Sequence, residues 1–221
     1  MKVAVLVAMS AERARIAELV SGGRIGPNEI VLVETGIGKV NAALGAAELI
    51  RAERPDCLVS TGVAGGLAPD LRVMDVVAAA QVAYHDVDCG PGTVPGQVQG
   101  CPPRFDADPR LLALAAAVPG VRVGLVASGD SFVSTQAARD AVLRVQPDAL
   151  AVEMESGALA QTCLRFGVPF LSLRAISDTP GADAHVAQYE SFWRDLADRS
   201  FGAARAFLES LPDTLPAAEV R

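Results

Sequence analysis

Residues 148–163 read DALAVEMESGALAQTC, a run of small and apolar residues with Glu153 and Glu155 near its centre. The first half is a short strand signal. The second half, continued as SGALAQTCLRF, has the composition of a buried helix. In a strand, positions i and i+2 project to the same side, so the two carboxylates are expected to point together where the strand runs out. An apolar strand feeding an apolar helix is the repeating unit of an α/β fold, and the carboxyl end of such a strand is where that fold gathers ligand chemistry. The competing reading is a solvated strand end with one Glu capping the next helix.

The same alternation extends in both directions. Val3 to Val7 is a strand followed by the helix SAERARIAELV, and the opening MKVAVLVAMSAERARI reads as a first buried strand rather than a signal peptide. Ile30 to Glu34 is a strand closed by TGIGK, with a small-residue helix from about Val40 to Arg51. Cys57 to Thr61 is a strand ended by the glycine-rich TGVAGGLAPD, and DVVAAAQVAY from Asp75 gives one or two extended strands. Gly and Pro make Cys89 to Pro103 a loop. A helix at Pro109 to Val118, the strand VRVGLVASGD, and a helix from Thr135 to Val145 lead back to the opening stretch. Beyond it lie the buried strand VPFLSLRAISD and an amphipathic helix from about Gln188 to Leu211. These elements predict a single α/β domain over residues 1–221, three-layered (αβα), with a central mixed sheet that curls.

The 221 residues suffice for one well-developed core, and no apolar run approaches the length of a membrane span. A formal charge of −7 leaves no basic footprint for nucleic acid, so the expected partner is a small molecule. Four cysteines without CxxC spacing point to reduced thiols and a cytoplasmic setting. GIGKVN has Asn41 where a dinucleotide fingerprint needs its third glycine, which rejects a nicotinamide or flavin site. TGVAGGLAPD is either a backbone cradle for an oxyanion or sugar, or a plain tight turn. YHDVD (His85, Asp86, Asp88) has a metal-like composition, but only two histidines exist and no ligand spacing accompanies them, so its expected role is structural. Neither a metal nor an organic cofactor is expected. Ser131 in SGDSF lacks a nearby base and a GxSxG elbow, which disfavours serine hydrolase chemistry. Glu12, the Glu153/Glu155 pair, SGDSF and Asp178 all fall just past strand ends, which converge in such a sheet. Several carboxylates with Arg174 and no metal ligands suit hydrolysis through a cationic sugar transition state.

The chain resembles 5′-methylthioadenosine/S-adenosylhomocysteine nucleosidases of the nucleoside phosphorylase superfamily. AMSAE, TGIGKVNAA, TGVAGGLAPDL, YHDVD, GCPPRFDAD, SGDSFV, AVEMES and VPFLSLRAISD carry the likeness, in that order, from Met1 to about Leu211. The resemblance implies a nucleoside phosphorylase-like fold, a homodimer and an adenine nucleoside substrate, with 5′-deoxyadenosine as a further one. It makes Glu12 the base that activates water and Asp178 the acid that protonates adenine at N7, with Ser177 and Ala175 shaping its turn. Glu155 would hold the ribose hydroxyls, Met154 would pack beside the sugar and Glu153 would line the same site. Phe132 would stack on the base, and the main chain of Val133 would read its edge. Met9, Ile37 and Tyr189 would border the 5′ pocket, and Arg174 would sit near the water. Val63 stands where many members carry Ser, and the Cys89–Gln99 loop lacks the aromatic residues that many members use to close a neighbour's 5′ pocket. A futalosine-type nucleosidase and a purine nucleoside phosphorylase are the alternatives.

Overall fold

Every residue from Val3 to Val7 is buried, so the first strand lies inside the molecule with both faces covered. The computed structural model describes residues 1–20, 22–182, 185–193 and 201–217. The first half of the chain forms β1 (Lys2–Val7), α1 (Ser10–Leu19), β2 (Arg24–Ile25), β3 (Asn28–Glu34), α2 (Lys39–Glu53), β4 (Cys57–Gly66) and β5 (Val76–Tyr84). Then follow β6 (Phe105–Asp106), α3 (Pro109–Ala116), β7 (Val121–Ser128), α4 (Gln136–Val145) and β8 (Ala149–Glu153). The last elements are α5 (Ser156–Phe166), β9 (Phe170–Asp178), α6 (His185–Ser191) and α7 (Gly202–Ser210).

The strands form one mixed sheet, and its pairing explains the predicted curl. β1 pairs in parallel with β3 and β4, and β4 continues in parallel to β9. β9 is antiparallel to β5, β5 is parallel to β7, and β7 is parallel to β8. β8 then returns to β4 through Gly65–Val152 and Gly66–Ala151, closing a ring of strands. Alternation along β1 separates the two helical layers. Ala4 and Leu6 face a cluster with Ala42, Ala46 and Leu49 of α2 and Leu159 of α5. Val3, Val5 and Val7 face Ile16 of α1, Leu111 of α3 and Phe207 of α7.

Local signals account for the helix ends. Asp108 caps α3 by accepting from the N–H of Arg110 and Leu111 ahead of Pro109, and Gly167 ends α5 in the left-handed conformation. One expectation changes. β4 does not stop at Thr61 but runs on through Gly66, because β9 and β8 supply pairing partners along the glycine-rich stretch. DVVAAAQVAY forms a single strand whose register on β7 skips Ala80. The C-terminal helix expected from Gln188 to Leu211 is seen as α6 and α7, and residues 194–200 lie outside the described residues.

Phe207 is fully buried between α7 and the sheet. Phe207→Ala removes a large side chain from a layer that has no replacement for it. A loss of about 3–5 kcal/mol in unfolding free energy is expected from urea denaturation.

Candidate active site

The ends of β1, β4, β7, β8 and β9 meet at a cavity of about 630 Å³, counting its open mouth. Glu12, Glu153, Glu155 and Asp178 line it, and each is at least nine-tenths buried.

Glu12 occupies the third position of α1 and reaches back over the start of its own helix. Its Oε2 accepts from the N–H of Ala8 (2.9 Å) and Met9 (3.1 Å), the Glu half of a capping box. Its Oε1 accepts from the N–H of Val63 in β4 at 3.0 Å. Burial pushes this carboxyl above the usual carboxylate range, against the opposing pull of the Arg174 charge and the three N–H donors. Gly62 is required for this contact: a Cβ there would overlap Glu12 Oε1 and lie 2.9 Å from its carboxyl carbon. A Glu in the first turn of a helix is ordinarily a surface residue, and here β4 packs over Glu12 and buries it.

Asp178 ends β9 just after an irregularity. Ala64 pairs with Ile176 and Gly65 with Asp178, so Ser177 is skipped in the register. A bulge of this kind re-aims the next side chain. Ser177 Oγ lies 2.7 Å from Asp178 Oδ1 and 3.3 Å from the Ala64 carbonyl oxygen. The hydroxyl can donate to an ionised Asp178, or accept from a protonated one while donating to Ala64. Gly65 keeps the wall thin, since a Cβ there would meet Pro180 Cγ at 2.6 Å.

The two glutamates of the opening stretch do different things. β8 stops at Glu153, and Glu155 lies in the turn before α5, so they do not share the face of one strand. Glu153 Oε2 accepts from the N–H of Ser156 at 2.9 Å and from Arg174 Nη2 at 2.8 Å, in a pair almost sealed from solvent. It caps α5 and neutralises Arg174 while its side chain forms part of the cavity wall. Glu155 Oε1 accepts from the Gly38 N–H at 2.8 Å. Burial and the Glu153 charge push Glu155 up to about 7, against the Gly38 N–H and Arg174. Arg174, expected beside the attacking water, does not line the cavity. Its guanidinium is committed to Glu153, Ser60 Oγ (2.7 Å), Ser156 Oγ (2.9 Å) and the Leu173 carbonyl. It acts on the site through its charge.

Met9, Ile37, Val63, Phe132, Val133, Met154, Ser177 and Tyr189 all line the cavity. Phe132 and Tyr189 meet edge to face at 5.7 Å, and Tyr189 O–H lies 3.9 Å from Met9 Sδ. Ala8, Ala64, Gly65, Ser131 and Val152 complete the lining unforeseen. All five stand within quoted motifs, but alanine and valine carry no chemical signal of their own. Among the described residues, no three His, Cys, Asp or Glu side chains gather to hold a metal ion, and no helix is long and apolar enough to cross a membrane.

A family model described as "Phosphorylase superfamily" matches residues 2–209. A protein of Geobacillus thermodenitrificans named 5′-methylthioadenosine/S-adenosylhomocysteine nucleosidase is 40% identical over 220 residues, covering 90% of this chain and 93% of the relative. The chain belongs to the 5′-methylthioadenosine/S-adenosylhomocysteine nucleosidase family. Its fold agrees with crystal structures of such nucleosidases. One, from Streptococcus pyogenes in complex with 5-methylthiotubericidin, superposes with a TM-score of 0.90 at 35% identity, over 96% of this chain and 98% of that one. Another, from Neisseria meningitidis in complex with methylthio-immucillin-A, gives 0.88 at 33% identity, over 95% and 99%.

For this nucleosidase family member, the Gly62–Glu12 contact gives a direct test. Gly62→Ala should displace the Glu12 carboxylate and lower kcat by roughly 10²-fold or more in an adenine-release assay, with the circular dichroism spectrum unchanged.

Proposed function

We propose that this chain hydrolyses the N-glycosidic bond of 5′-methylthioadenosine and S-adenosylhomocysteine, releasing adenine and the 5′-substituted ribose. The observation that carries this reading is the convergence of Glu12, Glu155 and Asp178 on one cavity from three separate elements. Water oxygen attacks C1′ and gives a proton to Glu12, the C1′–N9 bond breaks, and Asp178 delivers a proton to N7 of the leaving adenine. Burial suits Glu12 to this task, because a desolvated carboxylate is a stronger base than an exposed one. Between bond breaking and attack the ribose carries positive charge. Glu155, at the hydroxyl edge of the sugar, stabilises that charge more than it stabilises neutral substrate, which is what raises kcat. Ser177 can serve Asp178 before and after proton transfer.

Hydrolysis rather than phosphorolysis follows from the charges around the nucleophile. A phosphate dianion beside Glu12 would face a carboxylate, and Arg174 is already paired with Glu153. Phe132 and Val133 are assigned to the base, and the apolar group of Met9, Ile37 and Tyr189 to the 5′-thio substituent.

The decisive variant is Asp178→Asn. Its amide keeps the shape but has no proton to transfer. Turnover of methylthioadenosine should fall roughly 10²-fold or more. The loss should shrink on a nitrophenyl riboside, whose leaving group departs without protonation. Equal losses on both substrates would assign Asp178 a structural role and defeat the general-acid reading.

The working unit is a homodimer in this proposal. Ile37, Val40 and Leu44 form an exposed apolar row at and along the start of α2, next to the cavity mouth, with Val40 69% exposed. A second copy would cover that row. Leu44→Glu should shift the mass measured by light scattering from dimer to monomer; a wild-type monomer would refute the assembly. Four unpaired cysteines suit a reducing, cytoplasmic setting.

A further inference from the structure

We propose that Lys39, Asp86 and Asp130 form a closed positioning clamp that ties three loops around the cavity and holds the Gly38 N–H on Glu155. The proposal rests on the nucleosidase reading of Glu155 given above.

The geometry is a cycle in which each residue fixes the next. Asp130 Oδ1, in the loop after β7, accepts from the backbone N–H of Lys39 at 2.7 Å. Lys39 Nζ, at the start of α2, donates to Asp86 Oδ2 at 2.8 Å. Asp86, in the loop after β5, accepts from the backbone N–H of Asp130 through the same Oδ2 at 2.8 Å. Lys39 Nζ also sits 5.3 Å from the centre of the Tyr84 ring, which limits where its chain can go.

An ordinary surface ion pair contributes little because two long side chains must be ordered to make it. This cluster differs in two respects. Lys39 and Asp86 side chains are only 24% and 26% exposed. Each acid also binds a backbone N–H of another segment, so the charges set the path of the main chain.

That path matters at two points. Gly38, immediately before Lys39, has φ of 93° and donates to Glu155 Oε1 at 2.8 Å. A Cβ on Gly38 would lie 2.9 Å from Asp130 Oδ1, so the clamp closes directly over this glycine. On the other side, Asp130 is followed at once by Ser131, Phe132 and Val133, which line the cavity. The clamp therefore couples the carboxylate assigned to the ribose with the loop assigned to the base. None of its three members lines the cavity, so each is a positioning residue.

The groups acting on Glu155 make a specific readout available. Glu153 and Glu12 disfavour its ionised form, as burial does, whereas Arg174 and the Gly38 N–H favour it. If the clamp opens, the Gly38 N–H withdraws and the ionised form loses a donor. Glu155 should then titrate at higher pH, and the acid limb of the pH–rate profile should move upward with it.

The test compares Lys39→Met, which removes the cation but keeps the stem, with Lys39→Arg, which keeps a cation. Asp130→Ala is a second, independent opening of the cycle. Adenine release from methylthioadenosine is followed across pH, and the Glu155 carboxyl is titrated by ¹³C NMR, assigned with Glu155→Gln. Lys39→Met and Asp130→Ala should each lower kcat by about 10-fold or more, because small misplacements of catalytic groups are costly, while the folded spectrum is kept. Both should raise the pH of the acid limb and of the Glu155 titration, and Lys39→Arg should recover most of the loss. An unchanged acid limb, an arginine variant as impaired as the methionine one, or failure of both Lys39→Met and Asp130→Ala to fold would each overturn the proposal. A wild-type enzyme that releases no adenine would instead refute the nucleosidase reading, before any variant is compared.

Discussion

Keeping a carboxylate charged in a place that water barely reaches is the constraint around which this molecule is arranged. An unpaired buried carboxylate would neutralise itself by taking up a proton, and a neutral Glu12 is no base. Three backbone N–H groups, from the link after β1, the start of α1 and β4, meet its two oxygens, which requires those segments to lie at hydrogen-bonding distance from one point. The strand order, the glycine at position 62 and the angle at which α1 leaves β1 all serve that meeting. Arg174 extends the same logic without touching the cavity. Paired with Glu153, it places a buried cation whose field still favours the ionised forms of Glu12 and Glu155. Removing either partner would strand the other in the core, which typically costs about 3–5 kcal/mol.

Much of this was legible in the chain. Val3 to Val7, Val121 to Ser128 and Phe170 to Asp178 are apolar strands bounded by polar or glycine signals, and each formed where periodicity placed it. Glu12, Glu155 and Asp178 were visible as acids just past strand ends, and the ends do converge. What stayed hidden depended on partners remote in sequence. TGVAGG reads as a turn to any local rule, yet it is strand because β8 and β9 come alongside it. Glu153 and Glu155 read as a pair on one face. The helix that begins at Ser156 instead captures both oxygens of Glu153 with the Ser156 N–H and separates the two. Arg174 carries no sign that its partner lies in β8, so its distance from the cavity was not predictable.

The glycines illustrate why motif reading found the right places for incomplete reasons. In the sequence Gly62 and Gly65 read as turn or cradle residues and Gly38 as part of an incomplete dinucleotide fingerprint. Their function in the structure is one of clearance: Glu12, Pro180 and Asp130 each occupy the space that a side chain would take. Local sequence cannot distinguish a glycine that permits a turn from one that yields room to a neighbour, because the difference lies in what approaches from elsewhere.

The closed ring of β4, β9, β5, β7 and β8 has a further result for how copies of this chain can meet. Among the described residues the sheet terminates in β2 and β6, and each is two residues long. The strands of the ring each have a neighbour on both sides, so the unpaired backbone that remains lies mainly along β3 beyond Glu29, where β2 no longer reaches. Copies that meet through helical surface are instead joined by side chains, and such contacts can be tuned one residue at a time without disturbing the hydrogen-bonded frame beneath.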